Sequence, residues 1–336
     1  MSGLQLLWFV LIGVLFSGFF FLEGFDFGVG MAVQSLARNE KEKDQVINTI
    51  APVWDGNEVW LLTAGGAMFA SFPHWYASLF SGFYLILFII LFGLIIRGVS
   101  FEFRHKVPHK HANFWNWTLS IGSFIVPFFF GILFINLVQG MPLDANGNMS
   151  ASFTDYINVF SVVGGVALTL LCYLHGLNYI SLKTHGPVRE HARNYAKALY
   201  YVLYVGLVVF ALLLFFKTDF FNQHFAVTLS LVVLIVALTV VANVSVFKEK
   251  ELTAFLASGL TLVTLVALLF SGLFPRVMVS SLGSQFDILI QNASSTPYTL
   301  KIMTYVSFTL LPFVLAYTAW AYYVFRKRVT VNMKGY

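Results

Sequence analysis

Charge is scarce in this 336-residue chain: Asp, Glu, Lys and Arg make up 10% of it, against about 25% in a typical soluble domain. With 58% hydrophobic residues and 37 phenylalanines, no fold could coat it in polar surface, which excludes a water-soluble globule. Its single cysteine, Cys172, excludes an intramolecular disulfide, a Cys-ligated iron–sulfur cluster and a multi-cysteine zinc site. No Gly-rich phosphate loop or dinucleotide fingerprint follows a strand-like segment, which argues against nucleotide chemistry. The short alternating segments of a membrane barrel are missing, as are low-complexity tracts and short-period repeats.

What the chain has instead is long apolar runs. Nine stretches come close to the roughly 20 residues a membrane-crossing helix needs: approximately Leu4–Gln34, Ile50–Ser71, Trp75–Ile96, Phe114–Val138, Val159–Ile180, Ala198–Phe216, Phe225–Val246, Leu252–Phe274 and Ile302–Phe325. The second is the least apolar, because it carries Asp55, Asn57 and Glu58. The fold class is therefore an all-α polytopic membrane protein.

Basic residues favour the cytoplasmic side of a membrane. With the N-terminus outside, 17 of the 20 Lys and Arg fall inward, among them Arg38, Arg97, Arg104, Lys110, Lys183, Lys248, Arg328 and Lys334. Lys217, Arg276 and Lys301 are left outside. The net charge of +5 thus reads as topology, N-out and C-in, rather than as affinity for nucleic acid. No basic residue precedes Arg38, so the first helix is expected to be retained rather than cleaved as a signal peptide. Two longer outward connections remain, Gln139–Tyr156 and Pro275–Lys301, the second a Ser-rich solvated link.

Against this background four carboxyls stand out. An ionisable group at the centre of a membrane helix costs roughly 2.5–3.5 kcal/mol on insertion scales, yet Glu23 and Asp26 lie within the first span and Asp55 and Glu58 within the second. Each pair is three residues apart, hence on one helix face. Counted as a straight helix from Arg38 at about 1.5 Å per residue, Asp26 and Glu23 approach mid-membrane. Counted from Asn48, Asp55 and Glu58 lie nearer the inner surface. Such a ladder suits a proton relay, whose steps each span one hydrogen bond or one water. Two plainer readings stand beside it. Asp55 could cap a late-starting second helix behind Pro52, and Gly24, Gly28 and Gly30 could either break the first helix or let it pack closely. Arg97 closes the third span, as an inner-surface anchor or as a partner for a buried acid.

Five histidines (His105, His109, His111, His185 and His191) fall in inward loops, and His74 and His224 at outer helix ends. Only His175 lies well within a span, where it reads as a hydrogen-bonded core residue rather than a metal ligand. Trp75, Tyr76, Trp115 and Trp117 suit the interface. Trp54 and Trp60 flank the second acidic pair and are candidates for a subunit contact.

The run Glu23-Gly-Phe-Asp-Phe-Gly-Val-Gly and the run from Asn48 through Trp-Asp-Gly-Asn-Glu-Val-Trp are similar to subunit II of the cytochrome bd-type quinol oxidases. So are Phe80–Tyr84, Arg97–Arg104, Trp117–Ser123, Leu311-Pro-Phe and Tyr317–Trp320. The resemblance covers the whole chain and is densest over residues 1–140. It implies two four-helix bundles (about 1–138 and 157–275) with a peripheral ninth helix (302–326). It also implies a larger partner, subunit I, which carries the haems b, the haem d (or a haem b in its place) and the quinol site, with small single-span subunits as further partners. The complex would oxidise quinol and reduce dioxygen to water in aerobic respiration. It would draw protons from the cytoplasm and so build a proton-motive force in a bacterial or archaeal cell membrane.

By the same resemblance, Asp55 matches the acid of the Trp-Asp-Gly-Asn motif, Glu23 and Asp26 the acids of the first helix, and Arg97 the basic residue ending the third. Some members carry Asp at position 23. With Glu58 these are the expected proton pathway; Trp54, Gly56, Asn57 and Trp60 are structural or interface candidates. No catalytic, haem-ligating or metal-ligating residue is expected in this chain. Two other classes compete: a proton-coupled transporter, disfavoured because the second half has no matching acidic pair, and a pure scaffold for a haem-bearing partner.

Overall fold

The computed structural model describes residues 1–104 and 106–330; His105 and Lys334, and the side chains of His109 and Lys110, lie outside the described residues. In chain order come α1 (Gly3–Ser35), α2 (Glu40–Ile47), α3 (Trp54–Ser71), α4 (Pro73–Gly82), α5 (Tyr84–Arg104), α6 (His109–Gln139), α7 (Val159–Lys183), α8 (Pro187–Lys217), α9 (Phe220–Phe247) and α10 (Glu251–Leu273). The strands β1 (Arg276–Met278) and β2 (Ile288–Leu289), α11 (Ile290–Ala293) and α12 (Pro297–Val324) follow. Among the described residues eight helices are long and apolar enough to cross a membrane: α1, α5, α6, α7, α8, α9, α10 and α12.

Helix α1 is unbroken over 33 residues. A capping box starts it, with Gln5 N–H donating to Ser2 Oγ at 3.3 Å and Ser2 N–H to Gln5 Oε1 at 2.8 Å. Its glycines bring helices together: a Cβ on Gly28 would lie 2.1 Å from the Cys172 carbonyl oxygen, and one on Gly176 2.4 Å from the Gly28 carbonyl carbon. Backbone thus meets backbone between α1 and α7, as in small-residue membrane packing. α1 also packs against α3, α6 and α10, and Phe19, Phe20, Phe130 and Phe134 fill the α1–α6 contact with ring centroids 5.0–6.0 Å apart. At the other extreme, Leu300 alone is buried among the residues of α12.

Several predicted spans have different limits, α8 for instance starting at Pro187 rather than Ala198, and two of the changes bear on the acids and Arg97. The second begins only at Trp54, with residues 48–53 in turns. Pro52 has no N–H and restricts the residue before it, and Val53 occupies the N-cap at φ −131°. Asp55 therefore sits in the first turn of a helix rather than two turns along one, and its depth counted from Asn48 does not hold. The predicted third span, Trp75–Ile96, is divided between α4 and α5 by a break at Phe83 (φ −97°, ψ 24°). Because α5 continues to Arg104, Arg97 lies inside the helix and not at its end.

The connections gather at two ends. At one, Gln45 Nε2 donates to His185 O (3.1 Å) and Val329 O (2.9 Å), and Arg104 Nη1 to Asp44 Oδ1 (2.5 Å). Arg189 and Arg193 meet Glu251 there too. At the other, Ser295 N–H donates to Ser71 O (2.8 Å) and Met141 N–H to Val279 O (3.1 Å). There Arg276 grips both carboxylate oxygens of Asp219 (2.7 and 2.8 Å). The connection expected to be a solvated link, residues 275–301, is instead a folded cap: β1 pairs with β2, and Val277, Met278, Ile288 and Ile290 are buried. Its apolar residues, spaced among the serines, have a surface to cover.

Candidate functional site

The acids of α1 and α3 converge with one guanidinium. Glu23, Asp26 and Arg97 are wholly buried. Arg97 Nη1 forms an ion pair with Glu23 and lies 3.4 Å from Glu58 Oε2. The rings of Phe27 and Phe101, with centroids 5.0 and 5.6 Å from the guanidinium carbon, hold it by cation–π attraction. The inner-surface-anchor reading of Arg97 is thereby replaced by the alternative, a buried partner for acids. Asn57, buried on α3, donates from Nδ2 to Asp26 Oδ2 at 2.7 Å. Its Oδ1 accepts from the Tyr322 hydroxyl of α12 at 2.8 Å.

Exposure is graded across this group. Asp55 is exposed, the Glu58 side chain is 25% exposed, and Glu23 and Asp26 are closed off. Three acids surround one fixed positive charge in a setting where an unpaired charge is costly. The Glu23 and Asp26 carboxyls meet within hydrogen-bond reach, a contact that needs a proton between them, and Nε and Nη2 of Arg97 have no hydrogen-bond partner among the described residues. Leaving a buried polar atom unmatched costs roughly 1–3 kcal/mol. Such a site suits exchangeable protons better than permanent pairing.

Of the remaining candidates, Trp54, Trp60 and His175 make contacts within the chain. Trp54 stacks on Phe101 at 4.7 Å and 16°. Trp60 fills the space over Gly18, where a Cβ would fall 2.3 Å from its ring. Gly56 is exposed and faces open space. His175 is a hydrogen-bonded core residue: Nδ1 lies 2.8 Å from Ser258 Oγ, Nε2 lies 3.0 Å from Phe21 O, and the ring stacks on Phe255 at 4.7 Å. With both nitrogens occupied it does not fit an axial ligand to haem iron. No group of three or more His, Cys, Asp or Glu among the described residues could hold a metal ion.

Tyr322 escaped the reading of the sequence. It lies 265 residues from Asn57, among Tyr317, Trp320 and Tyr323 at the end of an apolar span, where aromatic residues are ordinary. No signal along the chain separates it from that belt.

Long apolar helices packed closely at glycines around buried Glu23, Asp26 and Arg97 define a polytopic membrane protein with ionisable groups in its core. Residues 4–325 match the family model described as cytochrome bd terminal oxidase subunit II. The chain is 50% identical over 331 residues to the cytochrome bd ubiquinol oxidase subunit 2 of Bacillus subtilis, covering 98% of each. It is 32% identical to the cytochrome bd-I ubiquinol oxidase subunit 2 of Escherichia coli, covering 97% of this chain and 95% of the relative. The fold is similar to a chain in the structure of bd oxidase from Geobacillus thermodenitrificans, with a TM-score of 0.75 at 14% identity over 96% of this chain and 99% of that one. This chain belongs to the cytochrome bd terminal oxidase subunit II family.

Proposed function

We propose that this chain is the haem-free subunit of a quinol:oxygen oxidoreductase, in which it braces a haem-bearing subunit I and feeds protons to it from the cytoplasm. Reduction of dioxygen to water consumes protons, and quinol oxidation on the opposite side releases them. A buried protonatable path in the partner of the haem subunit then contributes to a proton-motive force. The haems b and haem d (or a haem b in its place) and the quinol site belong to subunit I on this reading. The occupied nitrogens of His175 support that division. Gly56 and the free edges of Trp54 and Trp60 are offered to the partner.

The carrying observation is the graded acid series closed by Arg97. Asp55 takes protons at the exposed start of α3, Glu58 lies behind it next to Arg97, and Glu23 and Asp26 hold protons in the sealed interior. Nine crossings, N-out and C-in, in two four-helix bundles with α12 peripheral, fit this direction. α3 serves as the ninth crossing: its start follows the end that holds Gln45, Arg104 and Val329, and its last residue, Ser71, bonds Ser295 at the other.

Asp26→Asn and Asp55→Asn in the assembled oxidase should each lower oxygen consumption while quinol binding and haem content stay near wild type. Unchanged turnover in both would reduce the chain to a scaffold. Loss of haem would assign the acids to assembly instead.

A further inference from the structure

We propose that Tyr322 is a positioning residue for the buried acids: from the peripheral helix α12 its hydroxyl fixes the Asn57 amide so that an N–H, and not the amide oxygen, meets Asp26. The proposal rests on the proton-uptake reading above. An asparagine amide presents an acceptor on one side and donors on the other. By donating to Asn57 Oδ1 at 2.8 Å, Tyr322 leaves Nδ2 for Asp26 Oδ2 at 2.7 Å. Asp26 also meets the Glu23 carboxyl within hydrogen-bond reach, where the two acids can share a proton, while Asn57 pins Oδ2. Without the hydroxyl the amide is free to turn its oxygen toward the carboxyl, and the acid loses its fixed orientation.

The way α12 is tied down is a second, independent observation. A helix with so little buried surface has small apolar reason to keep a fixed rotation, yet it is fastened at both ends. At one end Trp8 Nε1 donates to Leu300 O (3.2 Å) and Thr304 Oγ1 (3.1 Å). At the other the chain after α12 forms a strap: the Lys183 ammonium donates to the carbonyls of Phe325 and Lys327, and Val329 N–H to Lys183 O (2.7 Å). Gln45 Nε2 holds Val329 O from α2. Tyr322 stands less than a turn before the strap, so its hydroxyl is held in advance of any proton movement, which is where positioning gains its effect.

The test is Tyr322→Phe in the assembled oxidase, beside Asp26→Asn, Asn57→Ala and the Tyr322→Phe/Asn57→Ala double variant. Oxygen consumption with excess quinol should fall by roughly two- to tenfold in Tyr322→Phe, the range that one lost hydrogen bond spans, with haem content unchanged. The infrared carboxyl band that disappears in Asp26→Asn should shift in Tyr322→Phe. The double variant should be no slower than Asn57→Ala, because the hydroxyl acts only through Asn57. Wild-type turnover and an unshifted band in Tyr322→Phe, with Asp26→Asn slow, would overturn the positioning role and leave the proton route standing. An additive double variant would overturn it as well, as would loss of haem in Tyr322→Phe, which would make the hydroxyl a structural prop. Wild-type turnover in Asp26→Asn would remove the proton route and the proposal together.

Discussion

Arg97→Gln removes the one guanidinium that faces Glu23 and Glu58, and its cost can be worked from the site. Arg97 and Glu23 have side-chain exposures of 0% each. Breaking a buried pair from one side leaves an uncompensated charge, at about 3–5 kcal/mol. The lost contacts to Phe27 and Phe101 add about 1–2 kcal/mol. Against a total stability of about 5–15 kcal/mol, the single variant should assemble poorly. The double variant Arg97→Gln/Glu23→Gln removes both charges, so the ring contacts and the volume of the longer arginine are lost but no buried charge is left unpaired; about 3 kcal/mol should return. Glu58, one-quarter exposed and at 3.4 Å from Arg97 Nη1, is the looser partner and adds less to either figure. The assay is the thermal midpoint of the detergent-solubilised complex, followed through the haem absorbance and normalised to haem per complex. A double variant no more stable than the single, or a single variant indistinguishable from wild type, would refute the claim that this pair is buried and mutually dependent.

Two further outcomes follow from helix packing and from the Asp219–Arg276 ion pair. Gly176→Val should abolish assembly of the complex, because the new Cβ would meet the Gly28 backbone at 2.4 Å; Gly206→Ala, with nothing within 4 Å, should purify at normal yield. Comparing the two by size-exclusion chromatography checks the α1–α7 contact. At the end of the bundle that carries the 275–301 cap, half-burial works to raise the Asp219 carboxyl, but the hydrogen bonds and charge of Arg276 outweigh it and hold the group below the ordinary carboxylate range. A lowered folded-state pKa contributes stability above the unfolded value of about 3.9, and that stability is lost as pH falls through the folded value. Asp219→Asn should therefore melt earlier than wild type at pH 7, and the gap should close as the pH drops below about 4. A gap independent of pH would show that the ion pair with Arg276 is not its source.

Much of this protein is legible along the chain, because the membrane reads composition. Nine apolar stretches are expected to cross, and eight helices among the described residues are long and apolar enough to do so; the four acids are conspicuous since lipid makes charge expensive wherever it falls. The i,i+3 spacing of Glu23 with Asp26 places both on one face of α1, and helix α1 stays whole, its Gly28 packed on the α7 backbone and its Gly24 and Gly30 on side chains of neighbouring helices. Local breaks were harder to read. Pro52 delays α3 to Trp54, and the stop at Phe83 moves the start of α5 to Tyr84, both by backbone constraints weaker than the hydrophobic signal around them.

What the sequence by itself determined is the class of protein and the identity of its acidic residues, since each depends on what a residue is and on its near neighbours. The tertiary structure alone decided that Arg97 is sealed against Glu23 and Glu58, that Asn57 links Asp26 to Tyr322, and that residues 275–301 fold into a cap. Each of these is a contact between helices or segments far apart in the chain. Such contacts are set by the rotation and depth of each helix in the packed bundle, which close glycine contacts and buried hydrogen bonds settle only when all the helices are in place.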